Sequence, residues 1–236
     1  MRLTDSRRLI AFLAALLLPA SALRSDDRPF TDKFLLRNCT FTTTGRNAFF
    51  ILEPGYRMDY EGEDDGRRIR FTSRVLDETI RLRGGRDARV VEERFTDMDG
   101  QLIETSRNYL VMCVQNGNVY LCGEDVDIYE NGQVVSHEGT WRAGVGGARA
   151  GLYMPGLPLV GSRYLQENAP GVSQDRCEIV GQDADVTTPA GRFAKCLRIR
   201  ETNPVDPDEL DVKFYAPGVG LVRDGLLALT SYGFDR

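Results

Sequence analysis

Helical periodicity is nearly absent from this 236-residue chain once its N-terminal apolar run is passed. That excludes helix bundles and doubly wound folds as its architecture. The chain has a single histidine, His137, and a lone histidine cannot build the common zinc sites. It has no Gly-x-Ser-x-Gly elbow, no Gly-x-Gly-x-x-Gly between strand and helix, and no Walker sequence. No nucleophile, dinucleotide or nucleotide chemistry is therefore signalled, and no cofactor is implied. No two of its five cysteines are spaced as C-x-x-C, which argues against a zinc ribbon or a thioredoxin-like pair. A basic stripe is missing too, and the net charge is −5, so nucleic acid and anionic membrane surfaces are not expected partners. No stretch reaches the roughly 20 apolar residues of a transmembrane helix.

What is present begins with an address. Arg2, Arg7 and Arg8 precede an uninterrupted apolar run over 9–18, which Pro19 breaks before the small residues Ala20, Ser21 and Ala22. This is the pattern of a cleaved export signal over 1–22. Ser6, Arg7 and Arg8 have a twin-arginine look, but the residues after them fit that motif only loosely. No cysteine stands at the cleavage site, so a lipid anchor is not expected. The expected product is a soluble protein of the periplasm or the extracellular medium. It is divided into an N-terminal extension over 23–46 and one β domain over 47–236.

Short runs rich in β-branched and aromatic residues alternate with turn chemistry through the rest of the chain. Strands are expected over 68–75, 78–83, 89–96, 102–114, 119–123, 128–129 and 133–141. Further strands are expected over 164–168, 176–180, 185–188, 192–201, 209–215, 220–223 and 226–232. Asp97 to Gly100 and Asn131-Gly132 are turn signals, and Pro217-Gly218 suits a type II turn with glycine at the positive φ. The fold class predicted is all-β, an antiparallel meander forming a strongly curved sheet or open barrel. A β-sandwich is the alternative. Residues 144–161 interrupt the pattern with six glycines and two prolines, a loop that serves either as a crossover or as a binding lid.

In an oxidising compartment the cysteines Cys39, Cys113, Cys122, Cys177 and Cys196 default to disulfides. If Gly117 and Asn118 form the centre of their hairpin, Cys113 falls opposite Cys122 and the two can bridge. If Asn116 and Gly117 are central, the two cysteines are diagonal and too far apart. Cys177 and Cys196 are the next candidate pair. The aromatic residues Tyr109, Tyr120, Trp141, Tyr153, Tyr164 and Tyr215 either fill a sheet core or line a concave small-molecule site. With Glu124 and Glu138 beside them, the candidate ligand-binding set is Tyr120, Glu124, Glu138, Trp141, Tyr153, Tyr164 and Tyr215. The acidic clusters at 61–66, 97–100 and 124–127 have the composition of turns, and the second fails the EF-hand spacing, with Phe95 and Ser106 at its end positions. No metal site is assigned.

Several segments read together resemble an uncharacterised family of exported bacterial β-rich proteins. They are 117–124 (GNVYLCGE), 138–144 (EGTWRAG), 151–155 (GLYMP), 188–193 (TPAGRF) with 196–198 (CLR), and 213–223 (KFYAPGVGLVR). Asn47, 52–55 (LEPG) and 60–62 (YEG) resemble its opening segment. The resemblance implies a single exported unit and carries no activity. The family has an aromatic residue where Cys122 stands and usually an aspartate where Gly146 stands, so a disulfide at Cys122 would be peculiar to this chain.

The leading expectation is an exported, non-catalytic protein that binds a small or lipidic ligand or a cell-envelope partner. One rival is an exported hydrolase with a carboxylate pair drawn from Glu124, Asp125, Glu138 and Glu167. Another is a structural or assembly module with an exposed apolar edge.

Overall fold

The computed structural model describes residues 28–64, 66–204 and 210–235. The export signal assigned to 1–22 lies outside the described residues. The first strands are β1 (Phe41–Thr42), β2 (Gly45–Arg46), β3 (Ile51–Leu52), β4 (Tyr56–Asp64), β5 (Arg67–Arg81) and β6 (Asp87–Asp97). The middle of the chain supplies β7 (Leu102–Cys113), β8 (Val119–Glu130), β9 (Gln133–Ser136), β10 (Trp141–Arg142), β11 (Gly151–Met154) and β12 (Arg163–Leu165). The closing strands are β13 (Arg176–Thr188), β14 (Gly191–Thr202), β15 (Leu210–Ala216), β16 (Gly220–Asp224) and β17 (Leu227–Phe234). A 3-10 turn at Leu36–Asn38 is the one helical element among the described residues.

Fifteen strands form one antiparallel sheet, twelve of them in the order β10-β8-β7-β6-β5-β4-β17-β16-β15-β14-β13-β12, with β1 added on β7 and β9 and β11 on β8. Neighbours in sequence pair from β4 to β9 and from β12 to β17, β17 returns to β4 and joins the two halves of the chain, and β1 pairs with β7 while β10 and β11 pair with β8. The expected meander and its curved sheet are therefore present, and the sheet is not closed by a strand ladder. Its two ends meet through the glycine-rich crossover instead. There β11 pairs with β8, and the Arg149 N–H donates to the Asn168 carbonyl just beyond β12 (2.8 Å). Only glycine fits at this seam, since a Cβ on Gly151 would lie 2.0 Å from the Gln166 carbonyl oxygen.

Alternation sorts the side chains by face. On β5, Ile69, Phe71, Ser73 and Val75 point inward, while Arg68, Arg70 and Arg74 stand in solvent. The outer face of this part of the sheet is an ion-pair surface, with Arg70 against Glu61 (3.1 Å) and Arg57 against Asp59 (2.7 Å). The pattern changes at the end of β7, where Leu110, Val111, Met112 and Cys113 are all buried, so both faces are covered.

Several strand boundaries differ from expectation, each through a local irregularity. The segments 68–75 and 78–83 are one strand with a bulge between Val75 and Thr79. The segments 119–123 and 128–129 join in β8 across Gly123, which has φ 149°. The segments 176–180 and 185–188 join in β13. Residues 133–141 are split into β9 and β10 by a turn in which Gly139 has φ 92°. A strand over 56–64 was not expected, because the acidic run 61–66 has the composition of a turn, yet Tyr56, Met58 and Tyr60 alternate there with Arg57, Asp59 and Glu61 and are buried.

The disulfide expectations are corrected. The bond joins Cys39 to Cys113, with Cα atoms 5.2 Å apart, and Cys122, Cys177 and Cys196 are buried free thiols. The β7–β8 connection is wider than a two-residue turn, with the Cys113 N–H donating to the Asn118 carbonyl (2.8 Å) and Met112 opposite Val119. That register carries Cys113 well away from Cys122. On its other side Cys113 lies opposite Phe41, which brings Cys39 within reach. Cys177 faces Glu201 while Cys196 faces Ala184, so those two thiols are also far apart along their hairpin.

Peptide mapping without reductant is expected to recover a Cys39–Cys113 crosslink and three alkylatable thiols in the denatured protein. The bond closes a separation of 74 residues, so Cys39→Ser should cost roughly 4 kcal/mol of unfolding free energy on loop-entropy grounds. A crosslink involving Cys122 would contradict the register described.

Candidate functional site

The bond at Cys39 holds the preceding segment, 28–40, as a strap across the outer face of β7 and β8. Its other end is fixed at Thr31, which donates to the Arg163 carbonyl (2.9 Å) and accepts from the Leu165 N–H (3.0 Å). Phe30 lies under the Arg163 guanidinium at 4.0 Å, and Asn168 Nδ2 donates to the Asp32 carbonyl (2.8 Å). Between these anchors Phe34 and Leu36 reach down toward the sheet.

Beneath the strap is a cavity of about 560 Å³, within the range of small-molecule sites. Val111, Tyr120 and Cys122 make its floor, and Phe34, Leu36 and Phe41 make its roof. Ala143, Ala148 and Ala150, from the start of the glycine-rich crossover, form one wall, and the turn from Leu82 to Arg86 forms the other. Small side chains on one wall against aromatic ones on the roof leave the space empty. Tyr120 is held edgewise by Phe41 (6.2 Å between centroids) and tilted against Phe34 (5.7 Å). Arg86 covers the face of Phe41 at 4.8 Å, and Arg83 Nη1 donates to the Gly144 carbonyl (2.7 Å), tying the two walls together. Burial pushes the Cys122 thiol up to about 12, with Arg86 opposing the shift, so the group lining the floor is a neutral and unreactive thiol.

The inner face of the same strands is polar. Glu93 accepts from Asn108 Nδ2 (3.1 Å) and Ser73 Oγ (3.4 Å), and Asn108 lies opposite Glu124. The Glu124 and Glu167 carboxyls hydrogen-bond to each other, and Ser173 Oγ donates to Glu167. From the other half of the sheet Lys213 Nζ pairs with Glu201 (2.7 Å) and Asp224 (3.5 Å). Burial drives Glu93 up to about 7, with the Glu124 charge adding to the shift and Lys213 opposing it. Burial also holds Glu124 and Glu167 above the ordinary carboxyl range, and for Glu167 the nearby Glu124 adds repulsion. The Tyr153, Tyr164 and Tyr215 phenols are held neutral by burial.

The expected ligand-binding residues thus divide between places. Glu124, Trp141, Tyr153, Tyr164 and Tyr215 belong to the inner side, where Trp141 pairs across from Glu124 and its Nε1 has no partner among the described residues. Tyr120 lines the outer cavity. Glu138 is exposed in the turn after β9 and joins neither group. Of the carboxylates considered for hydrolysis, Asp125 faces outward to Arg142 (2.6 Å) and Tyr109 (2.5 Å), leaving Glu124 with Glu167. Those two touch, whereas glycoside hydrolysis needs carboxyl groups roughly 5 Å or more apart with a sugar between them. Among the described residues no group of three or more His, Cys, Asp or Glu side chains could hold a metal ion.

Sequence reasoning missed the roof, because Phe34, Leu36 and Phe41 lie in the segment read as an extension. It also missed Glu93, Lys213, Glu201 and Asp224, whose inward direction depends on strand register. The inward alternation of Phe71, Ser73 and Val75, carried across to the neighbouring strand, is the signal that would have marked Glu93.

Glu93 gives a pH dependence whose sign is fixed. The folded protein keeps this proton up to about pH 7, while the unfolded chain loses it near the ordinary glutamate value of 4.5. Its stabilising contribution is complete below 4.5 and is lost as pH rises through 7. Glu93→Gln should flatten the fall and raise stability at pH 8 by on the order of 2 kcal/mol, measured by denaturant unfolding from pH 4.5 to 8. Parallel curves for the two proteins would contradict the assignment.

No protein-family model matches the chain, and no curated protein matches it. Two solved structures are similar to it. One is a protein from Bacteroides fragilis NCTC 9343 assigned as exported and as having a YmcC-like fold, with TM-score 0.43 and 17% identity over 80% of this chain and 100% of that one. The other is a protein from Parabacteroides distasonis ATCC 8503 assigned as a lipoprotein, with TM-score 0.39 and 15% identity over 80% of this chain and 100% of that one.

Proposed function

We propose that this chain is an exported, non-catalytic binding protein that holds a small apolar or lipidic molecule between the strap and the sheet. The observation that carries the reading is the cavity of about 560 Å³ roofed by Phe34, Leu36 and Phe41 over Tyr120. An apolar space of this size, left open beside a well-packed core, is what a ligand site requires. The export signal at the N-terminus and the oxidised Cys39–Cys113 pair support a location outside the cytoplasm. The hydrolase alternative is not favoured, since Glu124 and Glu167 bind each other. The partner alternative has one observation in its favour. Leu157, Leu159 and Val160 at the tip of the crossover are exposed, Leu157 at 76%.

Cys122→Phe tests the cavity without touching the disulfide. The position is one where the resembling family carries an aromatic residue, so the variant is expected to fold with a melting temperature equal to or above that of the parent. It should lose most of the saturable fluorescence enhancement of the neutral probe N-phenyl-1-naphthylamine, with apparent affinity falling at least about tenfold, or about 1.4 kcal/mol. Unchanged probe binding in a folded variant would place the ligand elsewhere.

A further inference from the structure

We propose that the ligand is a single-chain anionic amphiphile, whose acyl chain lies under Phe34 against Tyr120 and whose anionic head sits between Lys33, Arg83 and Arg86. This rests on the cavity being the ligand site. Five charged residues line the cavity, Asp32, Lys33, Arg83, Arg86 and Arg149, so cations outnumber anions four to one on a chain of net charge −5. Asp32 is answered by Arg149 at 3.8 Å. Lys33, Arg83 and Arg86 have no carboxylate partner among the described residues. Arg83 donates to the Gly144 carbonyl and Arg86 stacks on Phe41, neither of which neutralises a charge.

The field of Arg86 reaches the floor, where it opposes the upward shift of the Cys122 thiol and so favours negative charge inside the cavity. Lys33, Arg83 and Arg86 stand exposed at the rim, where a neutral apolar ligand would make no use of their charge. An anion at the rim engages them, and guanidinium groups suit carboxylate and phosphate oxygens equally. The strap sets the number of chains. It is tied down at Thr31 and again at Cys39, and the space of about 560 Å³ beneath it is that of one small molecule, which favours a single chain.

Displacement of N-phenyl-1-naphthylamine from the full mature protein tests this with palmitate, 1-palmitoyl lysophosphatidate and hexadecanol, all below their micellar concentrations. At least one of the two anions is expected to displace the probe at about tenfold lower concentration than hexadecanol, as one or two charged hydrogen bonds allow. Whichever anion acts at the lower concentration identifies a free acid or a lysophospholipid as the source. The advantage should shrink in about 0.5 M salt. It should also fall by about tenfold in Lys33→Gln with Arg86→Gln, while hexadecanol binding is unchanged, and Arg86→Lys should restore part of it. If hexadecanol competes as well as both anions, the anionic assignment is overturned and the cavity reading survives. If no amphiphile displaces the probe and Cys122→Phe leaves probe binding intact, both are overturned.

Discussion

The covalent tie between Cys39 and Cys113 sets which part of the sheet has two covered faces. Over most of its outer surface the sheet needs no cover, because Arg57, Asp59, Glu61 and Arg70 pair among themselves in water. At the end of β7 the sequence turns apolar on both sides, from Leu110 to Cys113, and an uncovered outer face would expose Val111 and Tyr120. Tying Cys39 to Cys113 lays the strap over that patch, and the anchor at Thr31 keeps it there. The strap covers the patch without filling the space beneath it. The alanines at 143, 148 and 150 are too small to reach the roof, so a cavity remains where a tightly packed protein would have larger side chains.

The inner face solves a different problem. Carboxyl groups from β6, β8 and the segment after β12 are enclosed together, and burying them ionised would be costly. Two arrangements reduce that cost. Glu124 and Glu167 hydrogen-bond to each other and are held toward the protonated form, while Lys213 is flanked by Glu201 and Asp224. The Glu124–Glu167 contact also ties β8 to the far end of the sheet, beside the place where Arg149 meets Asn168. The polar interior is therefore read as part of how the two ends of the sheet are held together.

The segment that alternates cleanly, 68–75, was legible because one face is wet and the other dry. Local turn chemistry was equally legible. Asn131 and Gly132 both take positive φ, at 52° and 76°, and Gly218 takes φ 73° in the Pro217-Gly218 turn. What the sequence could not disclose depends on contacts between distant segments. A wider β7–β8 connection moved Cys113 away from Cys122, and its real partner lies 74 residues earlier. Tyr120 and Glu124 sit close together on β8, yet the bulge at Gly123 sends one to the outer cavity and the other to the inner cluster. A set of aromatic and acidic residues read as one site is thereby divided between two faces.

The proposed ligand lies on the outer face under the strap and not among the inner carboxyls. Hydrogen exchange by mass spectrometry, with and without saturating palmitate, separates the two faces because each has segments the other lacks. The prediction is slowed exchange in 30–41, 82–86 and 143–150, with 170–176 and 199–203 unchanged. Protection confined to 170–176 and 199–203, with the strap exchanging as before, would contradict it.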